Sequence, residues 1–434
     1  MKKAALHNLG CKVNAYETEA MQEILERCGY EIVPFGEKAD VYLVNTCSVT
    51  NIADRKSRQM LHRARKNNPD AVVIAAGCYV QAAGRELLQD SSVDILIGNN
   101  EKANLPEILK AWEEEHDASR IHDLTREQTY EELTLSKNAE HTRAYMKIQD
   151  GCNQFCSYCI IPYTRGRVRS RRLPDITAEA ARLAEAGYRE IVLTGIHLDS
   201  YGVDLEGETL LTVVEEIARV DGIERIRLGS LEPRIMTEEF VGGLAAVKKL
   251  CPHFHLSLQS GCDGTLKRMN RKYTAEEFAQ CCERLRRHFD EPALTTDVIV
   301  GFPGETEEEF SQTVEFLKKI RFYETHVFKY SRRKGTRADR MPDQIPEPVK
   351  TARSEILLKL SEENSAAWRA RLIGKDVEVL MEEAQTQDGA CWQVGHTREY
   401  VRVAVRQDEP LANRIVTVRA ESFRDPETLA GRLL

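Results

Sequence analysis

Tyr145-Met146-Lys147-Ile148-Gln149-Asp150-Gly151-Cys152-Asn153-Gln154-Phe155-Cys156-Ser157-Tyr158-Cys159 reads as a short strand, a glycine turn and a loop carrying three cysteines spaced four and three apart. Such a loop can wrap three thiolates around one metal centre. No fourth cysteine follows locally, so a four-iron cluster held here would keep one iron open for a substrate or cofactor. A structural zinc site normally closes its shell with four protein ligands, and the chain offers no paired Cys or His motif beside this loop, which favours iron–sulfur over zinc.

Downstream of Tyr145 to Ile148 the pattern repeats. Strand-like runs at Ile191 to Thr194, Arg225 to Gly229, His253 to Leu258, Thr295 to Val300 and Thr325 to Tyr330 alternate with helical patterns at Ala178 to Ala186, Leu210 to Val220, Thr237 to Leu250, Ala275 to His288 and Thr306 to Ile320. Six βα repeats predict a partial, (β/α)6 version of the TIM barrel, with its active site at the C-terminal ends of the strands. Upstream, Ala4 to His7, Val41 to Asn45, Val72 to Ala76 and Ile95 to Ile97 alternate with helices such as Ala15 to Cys28 and Ala53 to Lys66, the pattern of a parallel α/β sheet. Asn100 to His141 is polar and acidic and reads as a helix followed by a linker. Pro342, Pro346 and Pro348 mark a break before a long helix to about Trp368, after which Val377 to Leu380, Glu399 to Val405 and Ile415 to Ala420 suggest a small β-barrel. The expected domains are residues 1–137, 138–368 and 369–434.

With the strands drawn, a second cysteine trio emerges. Cys11, Cys47 and Cys78 each stand just past a different strand, in Leu9-Gly10-Cys11, Asn45-Thr46-Cys47 and Ala76-Gly77-Cys78. Loops at the C-terminal ends of a parallel sheet line one crevice, so these thiols can converge although 36 and 31 residues separate them. Cys28, at a helix end before Gly29, has no such context. At the barrel mouth, Thr194-Gly195-Ile196-His197, Ser230-Leu231-Glu232-Pro233, Gln259-Ser260-Gly261 and Gly301-Phe302-Pro303-Gly304 are small and polar, suited to a cofactor.

The chain has 434 residues, 42% hydrophobic and 30% charged, with a net charge of −8. That composition excludes long disordered or collagenous stretches and argues against coating nucleic acid by bulk charge. Basic residues nevertheless gather locally. Arg165, Arg167, Arg169, Arg171 and Arg172 follow the Cys loop, and Lys329, Arg332, Arg333, Lys334 and Arg337 follow the sixth strand, while Arg55 to Lys66 make a basic helix. Arg165, Arg167 and Arg169 alternate, so in an extended loop they would present one cationic edge to an RNA backbone, with Arg332 and Arg333 on the same face. The alternative is that they pair with neighbouring acids and brace the loop. Twelve cysteines without a secretory signal point to metal or redox chemistry in the cytosol, and the longest apolar run, Ala71 to Val80, is too short to cross a membrane.

On these residues the chain resembles the radical S-adenosylmethionine methylthiotransferases from end to end: the Cys-x3-Cys-x2-Cys loop with an aromatic before its last cysteine, and the order of three-cysteine domain, radical barrel and terminal TRAM domain. Leu9 to Asn14, Asn45 to Thr50, Asp54 to Gln59 and Asp297 to Glu305 are similar to the subgroup acting on N6-threonylcarbamoyladenosine in tRNA. Lys12-Val13-Asn14 is the most telling segment, since the sibling acting on isopentenyladenosine usually has Gln-Met-Asn there and the one acting on a ribosomal-protein aspartate Pro-Lys-Asn. The resemblance implies two [4Fe-4S] clusters. One, on Cys152, Cys156 and Cys159, would bind and reductively cleave S-adenosylmethionine, giving a radical that takes hydrogen from adenine C2. The other, on Cys11, Cys47 and Cys78, would carry a sulfur methylated by a second S-adenosylmethionine. Tyr158, Gly195, Glu232 and Gly301 would belong to the cofactor pocket. The common Gly-Gly-Glu loop reads Thr194-Gly195-Ile196-His197 here, so the cofactor's amino group is assigned to the backbone near Gly195. A tRNA substrate, an electron donor and a sulfur source are implied, the last two without identity. The remaining alternatives are the two siblings and, more distantly, a non-catalytic iron–sulfur protein that binds RNA.

Overall fold

The computed structural model describes residues 1–116, 118–124, 126–127, 129–136, 142–387 and 389–434. Its first unit is a parallel sheet in the order β2-β1-β3-β4-β5, built from β1 (Lys3–Asn8), β2 (Glu31–Ile32), β3 (Val41–Thr46), β4 (Val72–Gly77) and β5 (Ile95–Ile97). Helices α1 (Lys12–Arg27), α2 (Asn51–Asn67), α3 (Cys78–Ala83) and α4 (Leu105–Glu115) connect and cover it, leaving one apolar cluster on each face, as a sheet wound on both sides requires.

The second unit is an arc of parallel strands β6 (Arg143–Asp150), β8 (Glu190–Gly195), β9 (Arg225–Leu228), β10 (His253–Gln259), β11 (Ala293–Val300) and β12 (Glu324–Lys329), with the two-residue β7 (Arg169–Ser170) antiparallel beside β6. Bridges Ile226 to Leu250 and Leu231 to Leu256 carry the arc from β9 to β10. Between and around the strands lie α5 (Ile161–Thr164), α6 (Leu173–Glu185), α7 (Leu210–Ala218), α8 (Glu238–Ala246), α9 (Asp263–Arg268), α10 (Ala275–His288), α11 (Glu307–Ile320) and α12 (Glu347–Ala370). Alternation decides what faces where. Phe254, Leu256 and Leu258 pack outward into the shared core under the helices, so His253, His255 and Ser257 line the inside of the arc.

Two boundaries moved for identifiable reasons. Helix α6 begins at Leu173, five residues before the apolar pattern starts, because Pro174 fits the first helical turn, where no amide donor is needed. The stretch after α4 is less a linker than a packed strap: Leu133 and Leu135 are buried in the first unit's core, and Tyr130 Oη donates to the Lys147 carbonyl at 2.8 Å. Residues 137–141, and with them the expected boundary at 137/138, lie outside the described residues.

The last unit is a closed five-stranded barrel in the order β13-β14-β15-β17-β16, from β13 (Asp376–Gln387), β14 (Ala390–Thr397), β15 (Arg402–Arg406), β16 (Ile415–Phe423) and β17 (Thr428–Leu433). Three strands were legible in advance; β14 and β17 were missed because glycines and polar residues interrupt their alternation. This barrel closes the N-terminal end of the arc. Arg225 donates to Glu378 at 2.9 Å, Arg143 pairs with Glu382 at 2.7 Å, and the Tyr400 ring lies 4.8 Å from both the Arg143 and Arg227 guanidiniums. No helix among the described residues is long and apolar enough to cross a membrane.

Candidate functional site

Cys11, Cys47 and Cys78 follow β1, β3 and β4, three adjacent strands, and their loops meet. A Cβ on Gly10, at φ +109°, would stand 2.9 Å from both Cβ and Sγ of Cys47, so glycine is what lets the two loops approach. Asn14 Nδ2 donates to the Leu9 and Thr46 carbonyls at 2.8 and 3.0 Å and fixes that approach. The thiols are close enough to repel one another as thiolates. Burial, reinforced by that repulsion, pushes Cys47 up to about 11 and raises Cys11 as well.

Beneath this trio lies a buried ionic lattice that joins the two large units. Arg165 donates through Nε to Cys78 Sγ at 3.3 Å, through its terminal nitrogens to Glu17 at 2.8 and 3.1 Å, to Asp150 at 3.1 Å and to Asn14 Oδ1 at 2.7 Å. Lys147 reaches Glu17 at 2.8 Å and Asp150 at 2.6 Å, Lys102 reaches Glu17 at 3.1 Å, and Arg169 stands 3.8 Å from Asp150. Four cations thus face two carboxylates, and the cations hold Glu17 and Asp150 well below the usual carboxylate range against the opposing effect of burial. An excess of buried positive charge against three thiols suits an anionic cluster, so the donor set fits iron–sulfur ligation. Asn99 also donates to Cys78 Sγ, at 3.5 Å, and to the Thr164 carbonyl at 2.7 Å, bridging the two units.

The second trio sits in the loop after β6. Phe155 adopts φ +50°, and Asn270 Nδ2 holds that turn by donating to the Phe155 carbonyl at 2.9 Å. Burial pushes Cys152 and Cys159 up to about 12. Arg271 donates to Cys156 Sγ at 3.3 Å and to Glu232 at 2.8 Å; Glu232 is also 3.2 Å from His197 Nε2. Burial alone would raise Glu232, but His197 and Arg271 bring it below the ordinary carboxylate value. Asp199, which accepts from the Glu232 amide at 2.8 Å, is instead pushed up to about 7 by burial. Cys159 and Tyr158 are reachable by water yet surrounded by protein, and Tyr158 meets Phe302 edge-on at 6.4 Å between centroids.

The structure therefore brings Tyr158 and Glu232 to the mouth beside the Cys loop. At Gly195 and Gly301 there is no room for a side chain: a Cβ would strike Gln149 Oε1 at 2.9 Å in one case and Lys350 Cγ at 2.3 Å in the other, and the Gly301 amide donates to Glu305. The expected cationic edge is not formed. Arg165 and Arg169 are fully buried, since α5 ends at Thr164 and β7 turns the chain inward under Asp150. Arg333 is buried as well, donating to Asp54 and Ser48 at 2.6 Å. Of these five arginines, Arg167, stacked 4.8 Å over Phe155, and Arg332, paired with Asp339 at 3.0 Å, reach the surface. Reading the sequence missed Asn99, Asn270, Arg271 and Asp199, because no fixed spacing links them to the cysteines they support, and it found His197 only as part of a mouth loop, without its pairing to Glu232.

Residues 146–317 match the Radical SAM superfamily, and residues 3–98 match the uncharacterized protein family UPF0004. The chain is 41% identical to the threonylcarbamoyladenosine tRNA methylthiotransferase MtaB of Bacillus subtilis (strain 168), over 96% of this chain and 94% of that one. It is 39% identical to the protein of the same name from Aquifex aeolicus (strain VF5), covering 88% and 93%. A tRNA-2-methylthio-N(6)-dimethylallyladenosine synthase of Thermoanaerobacter sp. (strain X514) is 36% identical, covering 99% and 92%. Among solved structures, the radical S-adenosylmethionine methyltransferase TsrM from Kitasatospora setae, with tryptophan and aza-SAM bound, superposes with a TM-score of 0.57 at 17% identity, over 76% of this chain and 73% of that one, a likeness of fold. The chain belongs to the radical S-adenosylmethionine methylthiotransferases of tRNA, enzymes that use S-adenosylmethionine and carry two [4Fe-4S] clusters.

Proposed function

We propose that the protein adds a methylthio group to C2 of N6-threonylcarbamoyladenosine at tRNA position 37, next to the anticodon, using one S-adenosylmethionine as methyl donor and a second as radical source. The observation that carries this reading is the pair of three-thiol sets, one on each large unit, locked in one relative position by the buried lattice around Arg165. The relatives at 41% and 39% identity bear the threonylcarbamoyladenosine name and so favour that substrate over the dimethylallyl one.

In this reading Cys152, Cys156 and Cys159 hold one cluster and Cys11, Cys47 and Cys78 the other, and each trio leaves one iron without a protein ligand. When bound, the clusters supply an electron for cofactor cleavage and an attachment point for sulfur. The chain supplies the rest. Arg271 carries positive charge to the Cys156 thiolate and fixes Glu232, and Tyr158 walls the mouth where S-adenosylmethionine would lie. Arg165 and Asn99 hold Cys78 in register with the barrel. The C-terminal barrel, which we assign as a TRAM domain, and the exposed Arg167 and Arg332 are the candidates for holding the anticodon arm, whose target base must leave its stack to be reached.

The test is nucleoside mass spectrometry of tRNA carrying threonylcarbamoyladenosine, incubated anaerobically with the reconstituted protein, S-adenosylmethionine and a reductant. A mass gain of one methylthio group on that nucleoside is expected. A gain confined to dimethylallyladenosine tRNA would assign the chain to the sibling activity.

A further inference from the structure

Where the sheet unit, the inner wall of the arc and the C-terminal barrel come together, water-accessible residues with dense protein around them mark a polar hollow. Lys12 and Cys11 are open to water yet surrounded by protein on nearly every side, so they line that hollow and not the outer surface. The Lys12 side chain lies within charge range of Arg143, Arg227, Glu190 and His253, all on the inner wall of the arc. The other charges there are matched. Arg143 pairs with Glu382, Arg227 with Glu190 at 2.8 Å, and His255 with Asp297 at 3.2 Å, while the His326 ring leans on His255. The Lys12 side chain makes no hydrogen bond or ion pair among the described residues. Nearby, the buried Nδ1 of His253, on the same wall, has no partner either. An unmatched ammonium open to a polar hollow, with an unpaired histidine nitrogen buried in the wall behind it, suits a ligand with an anionic, hydrogen-bonding group.

We propose that Lys12, with His253 beside it, is the receptor for the free carboxylate of the threonylcarbamoyl substituent, and that it selects this nucleoside over those with apolar N6 groups. The proposal rests on the substrate reading above. With the adenine between the two trios, its N6 substituent extends into the hollow toward the floor formed by Tyr400 and Glu382, where Lys12 is, among the described residues, a cation free to meet a carboxylate. Removing the carboxylate leaves the Lys12 ammonium without a counter-charge beside two arginines, so discrimination comes from the unpaired charge as much as from the bond formed.

The test uses two anticodon stem-loops, one carrying threonylcarbamoyladenosine and one in which threoninol replaces threonine, so that only the carboxylate is lost. Binding is followed by fluorescence anisotropy with the cluster-loaded protein in the absence of reductant, and turnover is measured separately. Wild type should prefer the carboxylate form by about 10- to 100-fold in both affinity and kcat/KM, the range of a charge-assisted hydrogen bond. Lys12→Gln and Lys12→Met should lose most of that preference at unchanged iron content, and Lys12→Arg should retain part of it. Methylthiolation of neither stem-loop by wild type would overturn the substrate reading. Turnover of both without preference, or a preference that survives in the Gln and Met variants, would overturn the role of Lys12 while leaving the activity in place.

Discussion

Arg165 directs its donors inward, to Glu17, Asp150, Asn14 and the thiol of Cys78. Arg165→Gln leaves two carboxylates buried with fewer partners, a change that typically costs about 3–5 kcal/mol. The expected outcome is a lower unfolding midpoint and loss of iron from the N-terminal trio, with the salt dependence of tRNA binding unchanged. Arg167→Gln, at the exposed end of the same run, should shift stability by no more than about 0.5 kcal/mol. If Arg167 neutralises one phosphate, the slope of log affinity against log salt should fall by about one. Asp199 gives a pH signature. Its folded value of about 7 exceeds the ordinary 3.8 of an aspartate, so the folded chain binds more protons between those limits and stability falls as pH rises through the window, by up to about 4 kcal/mol. Asp199→Asn should therefore lose this slope and gain on wild type at pH 8 relative to pH 5, as denaturant unfolding at the two pH values would show.

Among the elements, the loops after β1, β3 and β4 carry the first trio, and their closeness depends on Gly10. Gly10→Ala forces a Cβ into Cys47 and a side chain onto φ +109°, a conformation that costs about 1–3 kcal/mol or more. Iron in the reconstituted variant should fall from about eight to about four per chain, with the barrel set spared; retention of all the iron would show that the loops can part without losing the cluster. What was legible in the sequence follows the same division. Strand ends are marked by alternating apolar runs, so Cys11, Cys47 and Cys78 could be grouped from spacing and topology alone. The six arc strands were legible for the same reason. Asn270 and Arg271 were not, because they come from the turn after α9 and approach Cys156 only through tertiary packing. The direction of Arg165, Arg169 and Arg333 was equally hidden: alternation along a chain reads as an exposed edge until partners on other units, Glu17, Asp150 and Asp54, are placed against it.

At the scale of the whole molecule, three units meet at a polar hollow: the sheet unit brings one thiol set and Lys12, the arc, which carries the other set at its mouth, brings the wall, and the C-terminal barrel brings the floor. In the proposed function the two thiol sets are separate centres with separate duties toward one substrate. The most direct test is the triple variant Cys11→Ala, Cys47→Ala, Cys78→Ala, reconstituted anaerobically and given S-adenosylmethionine, reductant and tRNA. Iron and the two products, 5′-deoxyadenosine and methylthiolated nucleoside, are measured together. Half the wild-type iron, continued formation of 5′-deoxyadenosine and no methylthiolated nucleoside are expected. Methylthiolation by this variant, or loss of cofactor cleavage with the barrel iron still in place, would contradict it.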